Sequence, residues 1–160
     1  MNWQQELYNE ITAIDDVNAN PAVLTYNIND QGGFFGGVDT IIKIKRQLKV
    51  SAPRAVSERL VDGTLRRAGD FTCRASYSQI AAAHAPQNGD SAITVNGVAK
   101  TLAEVRPFMA QSGNNNAIRW GIDLGDDTLT IGSEEWLIVG IEADKWLDGE
   151  PARFTLILRK

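Results

Sequence analysis

The chain has 160 residues, of which 43% are hydrophobic and 8% aromatic, so it can bury the core of one ordinary globular domain. Its 16 basic and 20 acidic residues give a net charge of −4, which argues against a protein that binds nucleic acid with its whole surface. One cysteine, Cys73, and one histidine, His84, exclude an intramolecular disulfide and the usual zinc ligand sets. We expect no cofactor, no metal, no membrane span of about eighteen apolar residues and, from the polar segment Met1–Glu10, no secretory signal.

An amphipathic helix over residues 2–16 is the first predicted element. Four apolar residues recur at helical spacing and share one face: Trp3, Leu7, Ile11 and Ile14. Pro21 ends the pattern, because the residue before a proline is pushed out of the helical region. The chain thus divides into a helical segment, residues 1–20, and a single β-barrel or sandwich domain, residues 21–160. The face with Trp3 and Leu7 packs either on this domain or on a partner or neighbouring subunit.

Short strands are predicted from Val23 onward, where the hydrophobic period changes to two. The alternating runs are residues 23–28, 42–50, 71–77, 118–124 and 154–158. Three turn dipeptides lie between them: Asp62-Gly63, Asn96-Gly97 and Asp148-Gly149. Residues 98–109 have helical spacing interrupted by Pro107, and the turn before them favours a strand. The predicted fold class is mainly β, a small β-barrel or sandwich with an N-terminal amphipathic α-helix.

The segment Gly32–Gly37 places two phenylalanines, Phe34 and Phe35, between paired glycines. It is a poor nucleotide-binding loop, because neither a Lys-Ser/Thr pair nor a helix start follows it. Two interpretations remain, a loop that presents both rings to another chain and a loop that folds them onto its own core. The first makes Phe34 and Phe35 candidate contacts with a partner or neighbouring subunit.

Positive charge is concentrated between Ile41 and Arg74, where nine basic and three acidic residues give a net charge of +6. The remainder of the chain therefore carries −10. This division suits a surface that faces nucleic acid, complementary faces between copies in an oligomer, or simply a solvated strand face. Base stacking is not expected, because no aromatic residue precedes Phe71 in the block. The residues predicted for a DNA-channel or inter-subunit basic face are Lys43, Lys45, Lys49, Arg66 and Arg67.

The titratable residues form no recognisable catalytic pattern. The pairs Asp126-Asp127 and Glu134-Glu135 lie in predicted strand connections, where carboxylates are ordinarily solvated, and their spacing does not match a calcium loop. No serine near His84 occupies a nucleophile-elbow motif. Cys73 alternates into the apolar face of its strand and is most simply a core residue. We therefore expect no enzymatic activity.

A strand-and-turn pattern occurs twice in residues 70–160. The first copy comprises Gly89-Asp90, Ile93–Gly97 and Leu102–Val105, and the second comprises Asp127–Gly132, Trp136–Val139, Asp148-Gly149 and Ala152–Leu158. A Gly-Asp pair, an apolar-Thr-apolar strand, a glycine turn and further apolar strands follow one another in this way in a group of viral proteins. In this respect the chain resembles the small head-closure and head–tail joining proteins of tailed bacteriophages.

The resemblance implies a structural virion protein, present in the host cytoplasm before assembly. It would form a homo-oligomeric ring at the head–tail junction, between a portal or adaptor protein and tail proteins, around the channel for packaged DNA. The N-terminal helix and the Gly32–Gly37 segment lie outside the resemblance and leave room for another tail component such as a tail terminator. The alternative is a stand-alone β-barrel module for an oligonucleotide or a sugar, with Trp120, Trp136 and Trp146 as candidate exposed aromatics.

Overall fold

The computed structural model describes residues 19–30, 40–56, 67–110 and 118–160, together with Trp3, Gln5, Glu6 and Glu10. Regular structure with defined bounds begins at a strand, β1 (Asn20–Asp30). Trp3, Gln5, Glu6 and Glu10 are helical, and the other residues of the helix predicted over 2–16 lie outside the described residues, so the bounds of that helix stay a prediction.

Short strands dominate the rest of the described chain. They are β2 (Thr40–Val50), β3 (Arg54–Ala55), β4 (Phe71–Ser76), β5 (Ile93–Val95), β6 (Val98–Lys100), β7 (Ile118–Arg119), β8 (Ile122–Asp123), β9 (Thr128–Ile131), β10 (Glu134–Leu147) and β11 (Glu150–Arg159). The described helices are α1 (Tyr77–His84) and α2 (Leu102–Val105). This content confirms the prediction of a mainly β protein.

Seven strands form one antiparallel sheet in the order β2-β1-β9-β10-β11-β4-β3, while β5-β6 and β7-β8 form separate two-stranded sheets. The large sheet is curled, so that its two sides approach each other. The backbone N–H of Ser51, just after β2, donates to the carbonyl of Arg74 on β4 at 2.8 Å, although β2 and β4 lie on opposite sides of the strand order. Three residues further, Arg54 and Ala55 pair with Thr72 and Phe71, so the chain after β2 lies along β4 as the short strand β3. Of the two predicted architectures, a barrel or a sandwich, a closed barrel is not formed by the described strands, because β2 and β3 remain the two edges of the large sheet.

One face of the large sheet covers the core, because successive strand residues point to opposite faces. Tyr26 of β1 lies opposite Ile44 of β2, and Leu24 lies opposite Leu129 of β9, with all four side chains buried. Cys73 of β4 is buried on the same face, as predicted, and burial raises the pKa of its thiol to about 12. The opposite face of β2 carries polar side chains and the exposed Ile41.

Residues 98–109 combine a strand and a helix. The strand preferred from the sequence covers only Val98–Lys100, which pairs with β5. The single turn of α2 follows, because Thr101 and Glu104 form a capping box at its start. The helix ends at Arg106, immediately before Pro107, as expected for a residue that precedes proline.

The predicted continuous strand over residues 118–124 is wrong. Trp120 and Gly121 both have positive φ, 53° and 73°, and form a turn that separates β7 from β8. The dipeptides Asn96-Gly97 and Asp148-Gly149 also have positive φ at both positions and confirm the predicted hairpin turns. Asp62-Gly63 lies outside the described residues.

Candidate functional site

The outer face of β2 carries three exposed basic side chains, Lys43, Lys45 and Lys49, which we call the lysine row. They alternate with the buried side chains of Ile44 and Leu48. Within the described part of the chain, no carboxylate lies at ion-pair distance from any of the three ammonium groups. The lysine row is therefore an exposed basic surface of the kind that attracts an anionic or acidic partner.

A shallow polar groove of about 230 Å³ extends from the lysine row across β1 to β9. Its lining residues are Val23, Thr25, Asn27, Lys43, Lys45, Thr128, Thr130 and Glu135. The strand register places Thr25 between Lys45 and Thr128. Hydroxyl and ammonium groups line this groove together with the Glu135 carboxylate, so the groove suits a polar or charged ligand better than an apolar one.

Of the two arginines predicted for the basic face, Arg67 does not extend the lysine row. Arg66 lies outside the described residues, and Arg67 is exposed in the turn before β4. The backbone N–H of Arg67 donates to the Asp70 carboxylate at 2.9 Å. Arg159 of β11 binds the same carboxylate through Nε at 2.8 Å, and its hydrogen bonds lower the pKa of Asp70. This ion pair anchors the turn on β11.

The predicted apolar partner contacts are described only in part. Trp3 is 69% exposed, so its ring is available to another surface. Leu7, Phe34 and Phe35 lie outside the described residues. Their proposed contacts therefore stay predictions.

Arg46 belongs to the basic block in sequence but not to the basic surface. Its side chain points to the core side of β2 and is buried. The guanidinium donates to the carbonyl of Ala83 at 3.0 Å and binds the Asp90 carboxylate at 2.7 Å. These hydrogen bonds lower the pKa of Asp90. Arg46 thus ties the end of α1 and the following loop to the sheet, which explains the charge within an otherwise apolar strand face.

A second ion pair, in which both partners are buried, joins Arg106, after α2, to Asp127, before β9. The two side chains are bidentate, with contacts of 2.7 and 3.1 Å, and both are buried. Asp127 also accepts the backbone N–H groups of Asn27 and Asp123, each at 2.9 Å. Arg106 donates to the carbonyl of Asn27 at 2.8 Å. The pair is a structural junction between three parts of the fold, and it corrects the expectation that the Asp126-Asp127 pair is solvated.

His84 ends α1 in a buried position against this junction. Its Nε2 donates to the backbone carbonyl of Arg106, and its ring contacts Phe108 at a centroid distance of 4.9 Å. Burial lowers the pKa of His84, the hydrogen bond to the carbonyl opposes this shift, and the charge of Arg106 reinforces it. The neutral imidazole is therefore the form that the fold favours.

We expect the fold to lose stability as the pH falls below about 6.5, the pKa of histidine in an unfolded chain. The lowered pKa of His84 in the folded state means that the unfolded chain takes up a proton first, so acid favours unfolding. The free energy of unfolding should fall by less than ~1.4 kcal/mol per pH unit, the slope for uptake of one full proton on unfolding. Urea midpoints between about pH 7.5 and 5.5 should fall more steeply in the wild type than in His84→Gln, which keeps an N–H donor. Parallel pH profiles would contradict this role of His84.

The three candidate tryptophans do not form an exposed stacking platform. Trp120 and Trp136 are buried, and only Trp146 is exposed, by 52%. Trp120 packs against Phe154 and Trp146 at centroid distances of 5.1 and 6.1 Å. The backbone carbonyl of Met109, whose side chain is 59% exposed, accepts the backbone N–H of Trp120 at 3.2 Å. This end of the sheet therefore presents an apolar surface around one exposed tryptophan.

A polar cavity of about 260 Å³ beside Arg106 is lined by Asp123 and Asp126. Burial raises the pKa of Asp123, the charge of Arg106 opposes this shift, and the charge of Asp126 adds to it. Across residues 19–30, 40–56, 67–110 and 118–160, no three His, Cys, Asp or Glu side chains are grouped as metal ligands. In the same ranges no helix has the length and apolar character to cross a membrane.

Comparison with models of protein families, with curated proteins and with solved structures returned no match. The chemistry of the site therefore has to be deduced from the residues themselves. Of the predicted basic face, three lysines lie together, one arginine lies elsewhere and one is not described. The sequence did not predict that Arg46, Arg106 and Asp127 form buried polar contacts. For Arg46 alone there was an indication, because this arginine interrupts the apolar face of its strand.

Proposed function

We propose that this chain is a structural subunit of the neck of a tailed bacteriophage, and that it acts without catalysis. Copies of it form a ring that joins the portal or adaptor protein to tail proteins around the DNA channel. The observation that carries the proposal is the lysine row, an exposed basic surface on β2 that forms no ion pair with the described carboxylates, in a protein with an acidic net charge. The resemblance of residues 70–160 to head-closure and head–tail joining proteins supplies the biological setting.

A surface of this kind has two roles in a ring. Lysines that point into a DNA channel hold phosphates without reading sequence. Lysines at a subunit boundary pair with acidic groups of the next copy, and such contacts close into a ring when the rotation between copies is repeated. Both roles require that Lys43, Lys45 and Lys49 stay exposed on one face, as the alternation of β2 provides.

A stand-alone module for oligonucleotides or sugars is the alternative. Such a module would stack its ligand on aromatic side chains of one strand face. The burial of Trp120 and Trp136 leaves Trp146 as the exposed member of the three candidates. The distribution of aromatic residues therefore supports the assembly role better than the stacking role.

Location in the virion tests the proposal. Gold-labelled antibody against the protein would be applied to purified virions of the phage that encodes it and viewed by negative-stain microscopy. The expected result is label at the junction of head and tail. Particles without label, together with protein confined to the host cell, would overturn the neck assignment.

Charge reversal tests the role of the lysine row. The triple variant Lys43→Glu, Lys45→Glu and Lys49→Glu is expected to lower the yield of infectious particles at least tenfold, because each reversal replaces attraction by repulsion. The fold should survive, since all three side chains are exposed. Lys100→Glu, on the exposed strand β6, is the matched control and should leave the yield unchanged. A normal yield from the triple variant would remove the lysine row from the mechanism.

A further inference from the structure

An open groove of about 1020 Å³ lies where β1 begins and where β2 and β9 end. We call it the apolar groove, because its wall includes Pro21, Val23, Ala52, Pro53 and Ile131. Pro21 and Ala52 are exposed, and the other three side chains are only half-buried. Contiguous exposed apolar surface of this kind is typical of a site that another protein segment covers.

The apolar groove is continuous with the lysine row. Lys49 lines the apolar groove itself. Val23 lines both the apolar groove and the polar groove that contains Lys43 and Lys45. A segment that fits the combined surface therefore needs an apolar face with acidic side chains along one side of it.

The N-terminal segment, residues 1–18, supplies such an apolar face. Trp3 is helical and 69% exposed, so its own domain leaves the indole ring available for another contact. The helical spacing predicts that Leu7, Ile11 and Ile14 share a face with Trp3. An apolar face that its own chain leaves exposed at Trp3 is suited to the groove of a second copy.

Two glutamates of the segment carry the charge complementary to the lysine row. Glu6 and Glu10 are helical and exposed, and the period of 3.6 residues per turn places both along one side of the face that begins at Trp3. They are four residues apart, or about 6 Å along a helix. Lys43 and Lys45 are two residues apart on one face of β2, or about 7 Å. The two carboxylates can therefore face the two ammonium groups at the same time.

We propose that residues 1–18 of one copy dock on a second copy, with Trp3 in the apolar groove and with Glu6 and Glu10 against the lysine row. This inference rests on the proposed ring assembly and assigns the lysine row to the boundary between subunits. The segment and the groove belong to different parts of the chain, so the contact is head-to-tail and can repeat from copy to copy. Asn20 lines the groove, so each copy sends out its own segment where it receives that of its neighbour.

Disulfide cross-linking between copies tests the contact directly. The native Cys73 is buried, so cysteines introduced at exposed positions react selectively. Glu10→Cys and Lys45→Cys proteins carrying different tags would be mixed and oxidised mildly. A mixed dimer is expected in at least tenfold excess over the dimer from Glu10→Cys and Lys100→Cys, in which the second cysteine lies on the exposed strand β6. Equal yields from the two mixtures would overturn the proposal.

A single chain that carries both Glu10→Cys and Lys45→Cys distinguishes docking between copies from docking within one copy. After oxidation, the expected product on a non-reducing gel is a ladder of linked oligomers. A faster-migrating monomer with an internal disulfide would show that the segment covers the groove of its own chain. That result would overturn the contact between copies.

Self-association measured by sedimentation velocity tests the role of Trp3. Trp3→Ala is expected to weaken association about tenfold or more, as for the loss of a central aromatic contact. The fold should survive, because the side chain is exposed, and circular dichroism verifies this. Asn9→Ala, on the polar side of the predicted helix, is the matched control and should leave association unchanged. Equal association of the two variants would reject the anchoring role of Trp3.

Exchange of charges tests the acidic side of the segment in the same assay. Glu6→Lys together with Glu10→Lys should weaken association, because like charges then meet at the lysine row. Adding Lys43→Glu and Lys45→Glu to this variant should restore association, because the two signs are exchanged across the contact. A fourfold variant that associates no better than the twofold one would reject the pairing of these residues.

The outcomes separate this inference from the proposed function. Gold label at the neck together with a negative cross-linking result leaves the neck assignment in place and rejects the docking of the N-terminal segment. Specific cross-linking between copies without label on virions supports the head-to-tail contact and rejects the neck.

Discussion

Asp127→Ala is expected to lower the free energy of unfolding by about 3–5 kcal/mol, the range for removing one partner of a buried ion pair. The guanidinium of Arg106 would remain buried without its carboxylate. The same change removes the acceptor of the backbone N–H groups of Asn27 and Asp123, and unsatisfied buried donors add to the loss. Urea unfolding followed by tryptophan fluorescence measures the effect.

Asp126→Ala is the matched control for this prediction, because Asp126 is the adjacent acidic residue and is exposed. We expect it to change stability by no more than about 0.5 kcal/mol. The double variant Arg106→Met with Asp127→Leu should be less destabilised than Asp127→Ala, since it leaves no unpaired charge. Similar losses in Asp126→Ala and Asp127→Ala would show that the buried pair does not have the structural role assigned to it.

Gly121→Ala is expected to destabilise the fold by about 2–4 kcal/mol, through backbone strain and overpacking together. Gly121 has φ of +73°, a region that residues with a Cβ rarely adopt. A Cβ at this position would also meet the imidazole of His84, with Nε2 at 2.9 Å and Cδ2 nearer still. His84 cannot move away easily, because it is held by Arg106 and Phe108. The thermal midpoint and the urea midpoint should both fall.

Gly125→Ala separates the two causes. Gly125 has φ of +95°, but a Cβ there would have no atom within 4 Å. Only backbone strain then applies, and we expect a loss of about 1 kcal/mol. The difference between the two variants measures how closely His84 packs on the turn between β7 and β8. If both glycines tolerate alanine equally, the contact with His84 is not a constraint on the fold.

Local patterns were sufficient to predict most of the described strands. The alternation in residues 42–50 predicted which side chains of β2 face solvent, because the side-chain period of a strand is two whatever its neighbours are. The Asn96-Gly97 and Asp148-Gly149 turns were also predictable, since both residues of each pair accept positive φ. The strand break at Trp120 was not predictable, because a tryptophan rarely has positive φ. Packing of its ring against Phe154 and other rings holds Trp120 in this conformation.

The buried polar residues show the limit of this reasoning. A pattern reports whether a side chain points inward, but not which partner it meets. Arg46 and Asp90 are 44 residues apart in the chain, and Arg106 and Asn27 are 79 residues apart. The Asp126-Asp127 pair has the same composition as a solvated turn, yet Asp127 is buried and Asp126 is exposed. Only the arrangement of the strands distinguishes the two carboxylates.

The sequence by itself determined the mainly β class, two of the hairpin turns and the exposure of Lys43, Lys45 and Lys49. These properties follow from local backbone preference and from the alternation of side chains, which act within a few residues. The tertiary structure decided that the sheet curls without closing, that the buried side chains of Arg46 and Arg106 each bind a carboxylate, and that the hairpin of β10 and β11 extends past the strands on both sides of it. Each of these depends on which distant segments become adjacent, and that is settled by burial and hydrogen bonding over the whole chain, which no local pattern contains.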